Sequence, residues 1–567
     1  MWPFKFPSLH ITKTTTTEEE LPTLVLDETE FEDKTLETLE YIKTILTRSY
    51  GPFGANTLIQ SNNADAPIVT KDGFTILKNI PFHEAVGGNI HKLIIPIANN
   101  LVKTVGDGST SAVLIAIELY KELLEIKNLF MFNNELIQII NTIGDIMISH
   151  IDNNYTYKLN VDNKFKTLNA IASISNNNDT KLGTKVASIF SQIDHLSTIK
   201  IELDREDKPV DVTYSIDYGF NFSGRPIHNM YFGTSPSITL EEPIIIAFYE
   251  LFEDHFKIAV DLYEKNKRPI VIITDMIDSN TMNLALGKFM SKNQIYIIKT
   301  NSLASDVNRN EFIDLCVYTD TNICMNPKEF EEDFQGSCKS LTLTPSNSVF
   351  CVGNGIGYGT DIFNDRVNEI KEHLLQTPDN KPIIKGSLKV RLDKMNGVNV
   401  TLFVSGRTIE EKNTARFLVE DAVLACKSAI EYGFTLGSNM VSYYVIRDIH
   451  AALRIVHENN PSLSKYNFDL VNHVVVSILS SYYEMITFNI MNNFNVDNEI
   501  QANKIDNAIN RLVTALPKNP LVMNQVTGCI ESLKDTTVLA PVKTDKEIIK
   551  ASFAMVTMLL SVNQYLV

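Results

Sequence analysis

Gly106-Asp107-Gly108-Ser109-Thr110-Ser111 runs directly into the apolar segment Ala112-Val113-Leu114-Ile115-Ala116-Ile117. Two glycines around a carboxylate, then three hydroxyl residues opening a helix, make a place where backbone N–H groups and the helix dipole can hold phosphate oxygens. A free carboxylate such as Asp107 is tolerable beside phosphate when a cation lies between them, so the chemistry indicated is that of a metal–nucleotide site. An ordinary Gly-Asp-Gly turn with a Ser/Thr cap on the next helix is the alternative reading of the same residues. Three further clusters share the type of residue, if not the spacing: Ser49-Tyr50-Gly51-Pro52-Phe53-Gly54, Thr70-Lys71-Asp72-Gly73, and Val419-Glu420-Asp421-Ala422 with Gly433 and Gly437 downstream.

The elements that must position these clusters can be read from periodicity. From about residue 34, Leu36, Leu39, Ile42 and Leu46 recur at helical spacing, and that helix should stop before Gly51-Pro52. Residues 56–80 read as short strands around a turn, with Pro67-Ile68-Val69-Thr70 leading through Lys71-Asp72-Gly73 into Phe74-Thr75-Ile76-Leu77. Helical patterning dominates from about 85 to 150. The composition shifts at 152–163 and again after 200. Between about 218 and 398 short apolar runs, Pro243 to Phe248 and Pro269 to Ile273, flank the helical stretch 253–267, the pattern of an α/β module with buried strands. After 410 the chain is strongly helical again: Gly433 is placed to end the helix that carries Asp421, and Thr544-Asp545-Lys546-Glu547 reads as a capping box opening the last helix. Helical ends around an α/β insert imply one discontinuous domain.

At 567 residues the chain must split into several domains. Its 51 basic and 68 acidic residues give a net charge of −17, which argues against nucleic-acid binding. Cys316, Cys324, Cys338, Cys351, Cys426 and Cys529 form no CxxC pair, so neither a zinc site nor a disulfide framework is indicated, and a reducing compartment fits. No signal-peptide pattern opens the chain and no apolar run approaches the ~18 residues of a bilayer span, so the expectation is a cytoplasmic protein with no membrane partner. Residues 1–20, ending in Thr14-Thr15-Thr16-Thr17-Glu18-Glu19-Glu20, read as a flexible N-terminal arm. A P-loop ATPase or kinase is disfavoured: Gly287-Lys288-Phe289 lacks the upstream glycine and the hydroxyl of GxxxxGK[ST].

The four clusters, in this order and at these separations, resemble the chaperonin family, whose bacterial members read roughly TLGPKGRN, TKDG, GDGTTTAT, VEDA and then a glycine-rich turn. The resemblance covers about residues 30–567. It implies an α+β multidomain chaperonin fold: a mainly helical, discontinuous equatorial domain (21–156 and 432–567), a small α/β intermediate hinge domain (157–217 and 399–431) and an inserted α/β apical domain (218–398). It also implies a ring of identical subunits that hydrolyses ATP with Mg2+, and with K+ as a further cation, while enclosing non-native client proteins. A co-chaperonin lid would be a further partner, and a scaffold or holdase with weak ATPase is the alternative.

Carried over residue by residue, the resemblance puts Ser49, Tyr50, Gly51, Pro52 and Lys71 on the nucleotide loop and makes Asp107 the magnesium ligand. Gly108, Ser109, Thr110 and Ser111 bind phosphate, the serines keeping the hydroxyl of the family's threonines. Asp421 orients the attacking water and Asp72 is a second carboxylate near the γ-phosphate, roles that suit hard oxygen ligands and in-line phosphoryl transfer. Read alone, Asp421 is equally a solvated residue on an amphipathic helix whose stripe is Leu418, Ala422, Ala425 and Ala429. Ile174 closes over the nucleotide, Gly437 and Ser438 occupy the glycine turn, and Asn524 contacts the adenine. Three departures stand out: Phe53 replaces a lysine, Ser438 and Asn439 replace glycines, and Ala540 replaces an aspartate that reaches the ribose. Client-binding candidates by alignment are Tyr231, Phe232, Phe256, Val260, Met282 and Leu286, with Lys257 making the rim less apolar. The short apical segment and the missing Gly-Met-rich tail point to a divergent group I (Hsp60-like) member with group II echoes in Asp72 to Lys78 and Val105 to Leu114. Such divergence suits a virus-encoded chaperonin acting in a host cytoplasm.

Overall fold

The computed structural model describes residues 25–566 apart from 61–66, 194–197, 229–230, 233–236, 286–294, 326–327, 329, 332–333, 345–348, 379–380, 493–498 and 563–564. The chain forms two compact units, one from residues up to 157 together with those from 435 onward, the other from 158–434.

The first unit opens with strand β1 (Val25–Leu26) and helix α1 (Glu28–Leu46). A capping box starts α1 earlier than its apolar periodicity suggests: the Asp27 side chain accepts from the Glu30 N–H, and the Glu30 carboxylate accepts from the Asp27 N–H. Strands β2 (Thr57–Ile59) and β3 (Ile68–Thr70) pair antiparallel. Residues 73–78 are not a strand, as their alternation suggested, but a short helix, α2 (Gly73–Lys78), because Asp72 caps it by accepting from the Phe74 and Thr75 N–H groups. Helices α3 (Ala85–Val105), α4 (Ser109–Lys127) and α5 (Asn133–Asn154) follow.

The second unit begins with α6 (Lys164–Ser175) and α7 (Thr180–Phe190), which pack against each other. Strands β4 (Thr198–Asp207) and β5 (Asp211–Tyr218) belong to a three-stranded sheet completed far along the chain. There follow β6 (Asn221–Phe222), β7 (Gly224–Pro226), β8 (Ile238–Glu241), β9 (Ile244–Leu251), α8 (Glu253–Asn266), β10 (Ile270–Ile277), α9 (Ser279–Leu284), β11 (Ile295–Thr300), α10 (Asp306–Thr319), β12 (Ile323–Cys324), β13 (Gly336–Leu343), β14 (Val349–Gly355), α11 (Asp361–Gln376) and α12 (Pro382–Asn396). Their strands form a sheet ordered β6-β14-β13-β9-β10-β11-β7, with β12 also on β9 and β8 also on β13. β12, β9, β10 and β11 run parallel. Alternate residues of β9 feed two cores. Ile244, Ile246 and Phe248 meet α8 on one face, and Ile245 and Ala247 meet α10, α11 and α12 on the other. Burial on both faces explains the unbroken apolar runs seen in the sequence. β15 (Val398–Gly406) then inserts between β4, to which it is parallel, and β5, to which it is antiparallel, and α13 (Ile409–Tyr432) packs on that sheet. Gly433, at φ 97°, ends α13 and donates its N–H to the Ala429 carbonyl.

The chain returns to the first unit through β16 (Phe434–Leu436) and α14 (Met440–Ala451), α15 (Leu453–Asn459), α16 (Pro461–Ser464), α17 (Phe468–Asn492) and α18 (Glu499–Val513). It closes with β17 (Leu521–Asn524), β18 (Cys529–Ser532), β19 (Leu539–Pro541), α19 (Val542–Leu560) and β20 (Tyr565–Leu566). β20 pairs antiparallel with β1, Leu566 opposite Val25. The centre of this unit is α4, buried at every position from Ala112 to Tyr120 and packed by α17 and α19. A helix apolar all round must be enclosed, which accounts for the run that follows the glycine motif. Phe468–Met491 of α17 also has the length and hydropathy of a membrane span, yet the most apolar stretch of it is largely buried here, Val474, Val475 and Ile478 included. The last helix starts at Val542 behind Pro541, two residues before the expected capping box, so Thr544 and Asp545 become buried helix residues.

Candidate functional site

α3 ends at Gly106, whose N–H donates to the Val102 carbonyl and whose φ of 80° turns the chain out of the helix, and α4 starts behind Gly108, at φ 92°. Both conformations are left-handed and favour glycine. The cap residue of α4 is therefore Gly108, with no side-chain cap bond, and Ser109, Thr110 and Ser111 occupy the first helical turn. The reading in which a hydroxyl residue caps this helix is not what the fold adopts. Instead, the first-turn N–H groups receive no capping side chain and keep the positive end of the dipole for an anion.

Packing holds the loop in place. A Cβ on Gly108 would lie 2.8 Å from Cδ1 of Ile548 and 3.3 Å from Cγ2 of Thr544, so α19 closes directly behind the turn. A Cβ on Gly73 would collide with Oγ1 of Thr110, which brings the start of α2, and with it Asp72, against the start of α4. A Cβ on Gly54 would meet the Ser49 carbonyl at 2.1 Å and Cε of Lys71 at 3.0 Å. Lys71 donates to the Pro52 carbonyl at 3.3 Å, and burial lowers its pKa. Gly51 is left-handed at φ 80°, and buried Ser49 donates to the Leu46 carbonyl.

Asp107 is solvent-exposed, and the Gly108 N–H donates to its Oδ1 at 2.6 Å. The protein crowding round it raises its pKa, the charge of Asp72 adds to that, and the Gly108 N–H opposes it. Two acidic groups within electrostatic reach, beside a helix N-terminus and three hydroxyls, are a donor set of hard oxygens. That set fits Mg2+ held together with phosphate oxygens, and no softer ligand stands among these residues.

Sequence reasoning placed Tyr50 on the loop but missed what its hydroxyl does. Tyr50 Oη lies 3.1 Å from Ser111 Oγ and accepts from Asn439 Nδ2 at 3.3 Å, and burial raises its pKa. The signal was available in the replacement of glycine by Asn439. Ser438 and Asn439 take φ values of 59° and 57°, and Asn tolerates that region better than most residues. Gly437 donates its N–H to the Val538 carbonyl, next to Ala540 of β19.

Asn524 is differently employed. Its Oδ1 accepts from the Val526 and Thr527 N–H groups, and its Nδ2 donates to Glu531 at 3.1 Å, so the side chain is used inside the β17–β18 turn. In the second unit, Asp421 is half-buried on α13 and Ile174 half-buried on α6, two helices that pack together.

The client-binding candidates need correction. Phe232 and Phe256 are core residues, 5% and 3% exposed: Phe256 because the apolar stripe of α8 faces the sheet instead of solvent, and Phe232 because it joins the core on the other face. Tyr231 and Val260 pack half-buried against the same cores, and Tyr231 Oη accepts from the Ile297 N–H. Met282 is half-buried, and Leu286 lies outside the described residues. Lys257 is exposed and pairs with Glu253 and Asp254.

The sequence profile of the TCP-1/cpn60 chaperonin family matches residues 42–205, a span containing the glycine loop, Asp72 and the Gly106–Ser111 turn. The hydrogenosomal chaperonin HSP60 of Trichomonas vaginalis is 24% identical over 418 residues, covering 71% of this chain and 85% of that protein. Two crystal structures of the chaperonin gp146 from bacteriophage EL, both determined in the presence of ATP-BeFx, superpose with TM-scores of 0.68 and 0.62 at 16% and 17% identity. Each match covers 96% of this chain and 99% of the phage protein. With the α+β architecture and the Gly106–Ser111 turn described, residues 42–205 are similar to the TCP-1/cpn60 chaperonin family, and the chain as a whole shares the fold of the phage chaperonin.

Proposed function

We propose that the chain is an ATP-hydrolysing, ring-forming chaperonin of the Hsp60-like group. The observation that carries this reading is the α4 N-terminus, where Gly108 leaves the first-turn N–H groups without a capping side chain beside Asp107 and Asp72. Those N–H groups and the Ser109, Thr110 and Ser111 hydroxyls would hold phosphate oxygens, and Asp107 with Asp72 would hold Mg2+. When bound, the metal supplies charge neutralisation and orientation of the phosphates. Asp421 would orient the attacking water as a hydrogen-bond acceptor. Identical subunits would assemble into the ring, and nucleotide would shift it between conformations by binding one of them more tightly.

A steady-state phosphate-release assay tests this. Asp421→Ala should retain nucleotide binding within about threefold while turnover falls roughly hundredfold or more. Turnover at the wild-type rate in that variant removes Asp421 from the chemistry.

A second reading, a holdase with weak nucleotide use, is favoured by two observations: Ala540 offers no polar group at its position, and Asn524 is engaged within its own turn. Saturation of phosphate release only at millimolar ATP, together with nucleotide-independent binding of an unfolded protein, would support it.

A further inference from the structure

The parallel strands β12, β9, β10 and β11 lie side by side in that order and finish on one edge of the sheet. β10 leaves that edge into α9, and Ala285, just after that helix, joins the α8 face, whereas β11 leaves into α10, whose Phe312 and Leu315 pack on the opposite face. Where neighbouring strand exits part to opposite faces, an open α/β sheet forms a crevice at its carboxyl edge, the position in which such sheets bind ligands.

A crevice of about 400 Å³ lies there, and Glu250, Phe252, Asp275, Met276, Arg309 and Met325 are among the residues that line it. None of these was singled out by the sequence. Phe252, Met276 and Met325 are 47%, 53% and 71% exposed, so three large apolar side chains stand in solvent around one opening. Unbranched thioethers adapt to varied apolar partners. The polar lining is fixed from behind: Asp275 accepts from the Leu303 N–H at 3.1 Å, and Arg309 donates to the Leu303 carbonyl. The Arg309 charge is met by Asp306 at 3.5 Å. Glu250 is exposed at the end of β9 and makes no ion pair among the described residues. The mouth is thus apolar with surplus negative charge.

We propose that this crevice binds an extended polypeptide segment through a bulky apolar side chain, with a neighbouring lysine or arginine facing Glu250. An anionic ligand would meet two carboxylates at this mouth. The inference rests on the chaperonin reading that the chain engages non-native polypeptide.

The test uses the full-length assembled protein and fluorescence anisotropy of a labelled peptide, Gly-Ser-Lys-Leu-Phe-Lys-Gly-Ser. The same peptide with Glu for Lys should bind roughly tenfold more weakly. Met276→Asp and Met325→Asp should each weaken the Lys peptide by about tenfold, while Ile383→Asp, at an exposed position of α12 outside the crevice, leaves it unchanged. Glu250→Lys should reverse the preference between the two peptides. Absence of peptide binding, wild-type affinity in both methionine variants, or an unreversed preference would each overturn the proposal. Binding of reduced, carboxymethylated α-lactalbumin, a permanently unfolded protein, is measured in parallel. If the wild type holds it and the methionine variants bind the peptide normally, the crevice falls alone. If the wild type holds neither, the chaperonin reading falls with it.

Discussion

Around the α3–α4 turn, Gly73 and Gly108 leave room for the side chains of Thr110 and Ile548, Gly106 and Gly108 are left-handed, and the first-turn N–H groups of α4 meet no capping side chain. Around β17 and β19 of the same unit, Asn524 hydrogen-bonds within its own turn and Ala540 contributes only a methyl group. Both regions carry residues that match a nucleotide-binding pattern. They differ in whether the polar groups remain available, and availability is a property of the folded turn that a motif does not state. On the proposed reading, the phosphate side would be open to a ligand, while the base and sugar side is largely engaged in its own turn.

The largest effect that could break this contrast is in Asp107→Ala, which should lower phosphate release by a hundredfold or more. Thermal stability should not fall, since the carboxylate is opposed by its crowded surroundings and by Asp72. Hydrolysis within threefold of wild type would show that the phosphate wall is not the working half.

Next comes Asp545, buried on α19 beside Thr544, with Oδ2 lacking any partner among the described residues and its pKa pushed up to about 8 by burial. Between pH 4 and 8 the folded chain keeps a proton there that the unfolded chain has released, so stability declines as pH rises through that window. Asp545→Asn should flatten the decline, by about 3 kcal/mol between pH 5 and 8 in urea-unfolding midpoints. Parallel curves for the two proteins would show that Asp545 ionises freely and that the backing of the phosphate loop is wet.

A smaller change is expected from Gly108→Ala. The left-handed φ and the approach to Ile548 should together cost about 2 kcal/mol and weaken nucleotide binding in proportion. The smallest is Asn524→Ala, a loss of about 1 kcal/mol with KM for ATP changed less than threefold. A tenfold rise in KM at unchanged stability would put Asn524 on the nucleotide and erase the contrast.

What could be read before folding depended on whether a local pattern admits one physical solution. The Gly-Asp-Gly turn before an all-apolar run does, because only a buried helix satisfies Ala112 to Ile117 and only left-handed glycines enter it that way. The alternation of the middle third does too, since β9 and β10 are apolar on both faces. Phe74 to Leu77 was too short to separate strand from helix, and the cap at Asp72 decided it. Thr544 to Glu547 has capping-box chemistry, but Pro541 sets the helix start first. Phe256 marks an apolar stripe without saying which side of α8 meets the sheet. The crevice at the carboxyl edge was invisible because its lining comes from four strand ends and α10, far apart in the chain.

The pairing of β1 with β20, and the enclosure of α4 by α17 and α19, set an order of assembly. The 158–434 unit is contiguous and can complete its sheets while the chain is still being made. The flanking unit cannot, because α4 has nothing to bury against until the segments beyond 468 emerge from the ribosome. During synthesis the Gly106–Ser111 turn is therefore among the last parts to take shape, and the nascent chain passes through a stage with one finished unit and an exposed apolar helix. Until α17 and α19 arrive, that helix is the part of the nascent chain most prone to aggregate.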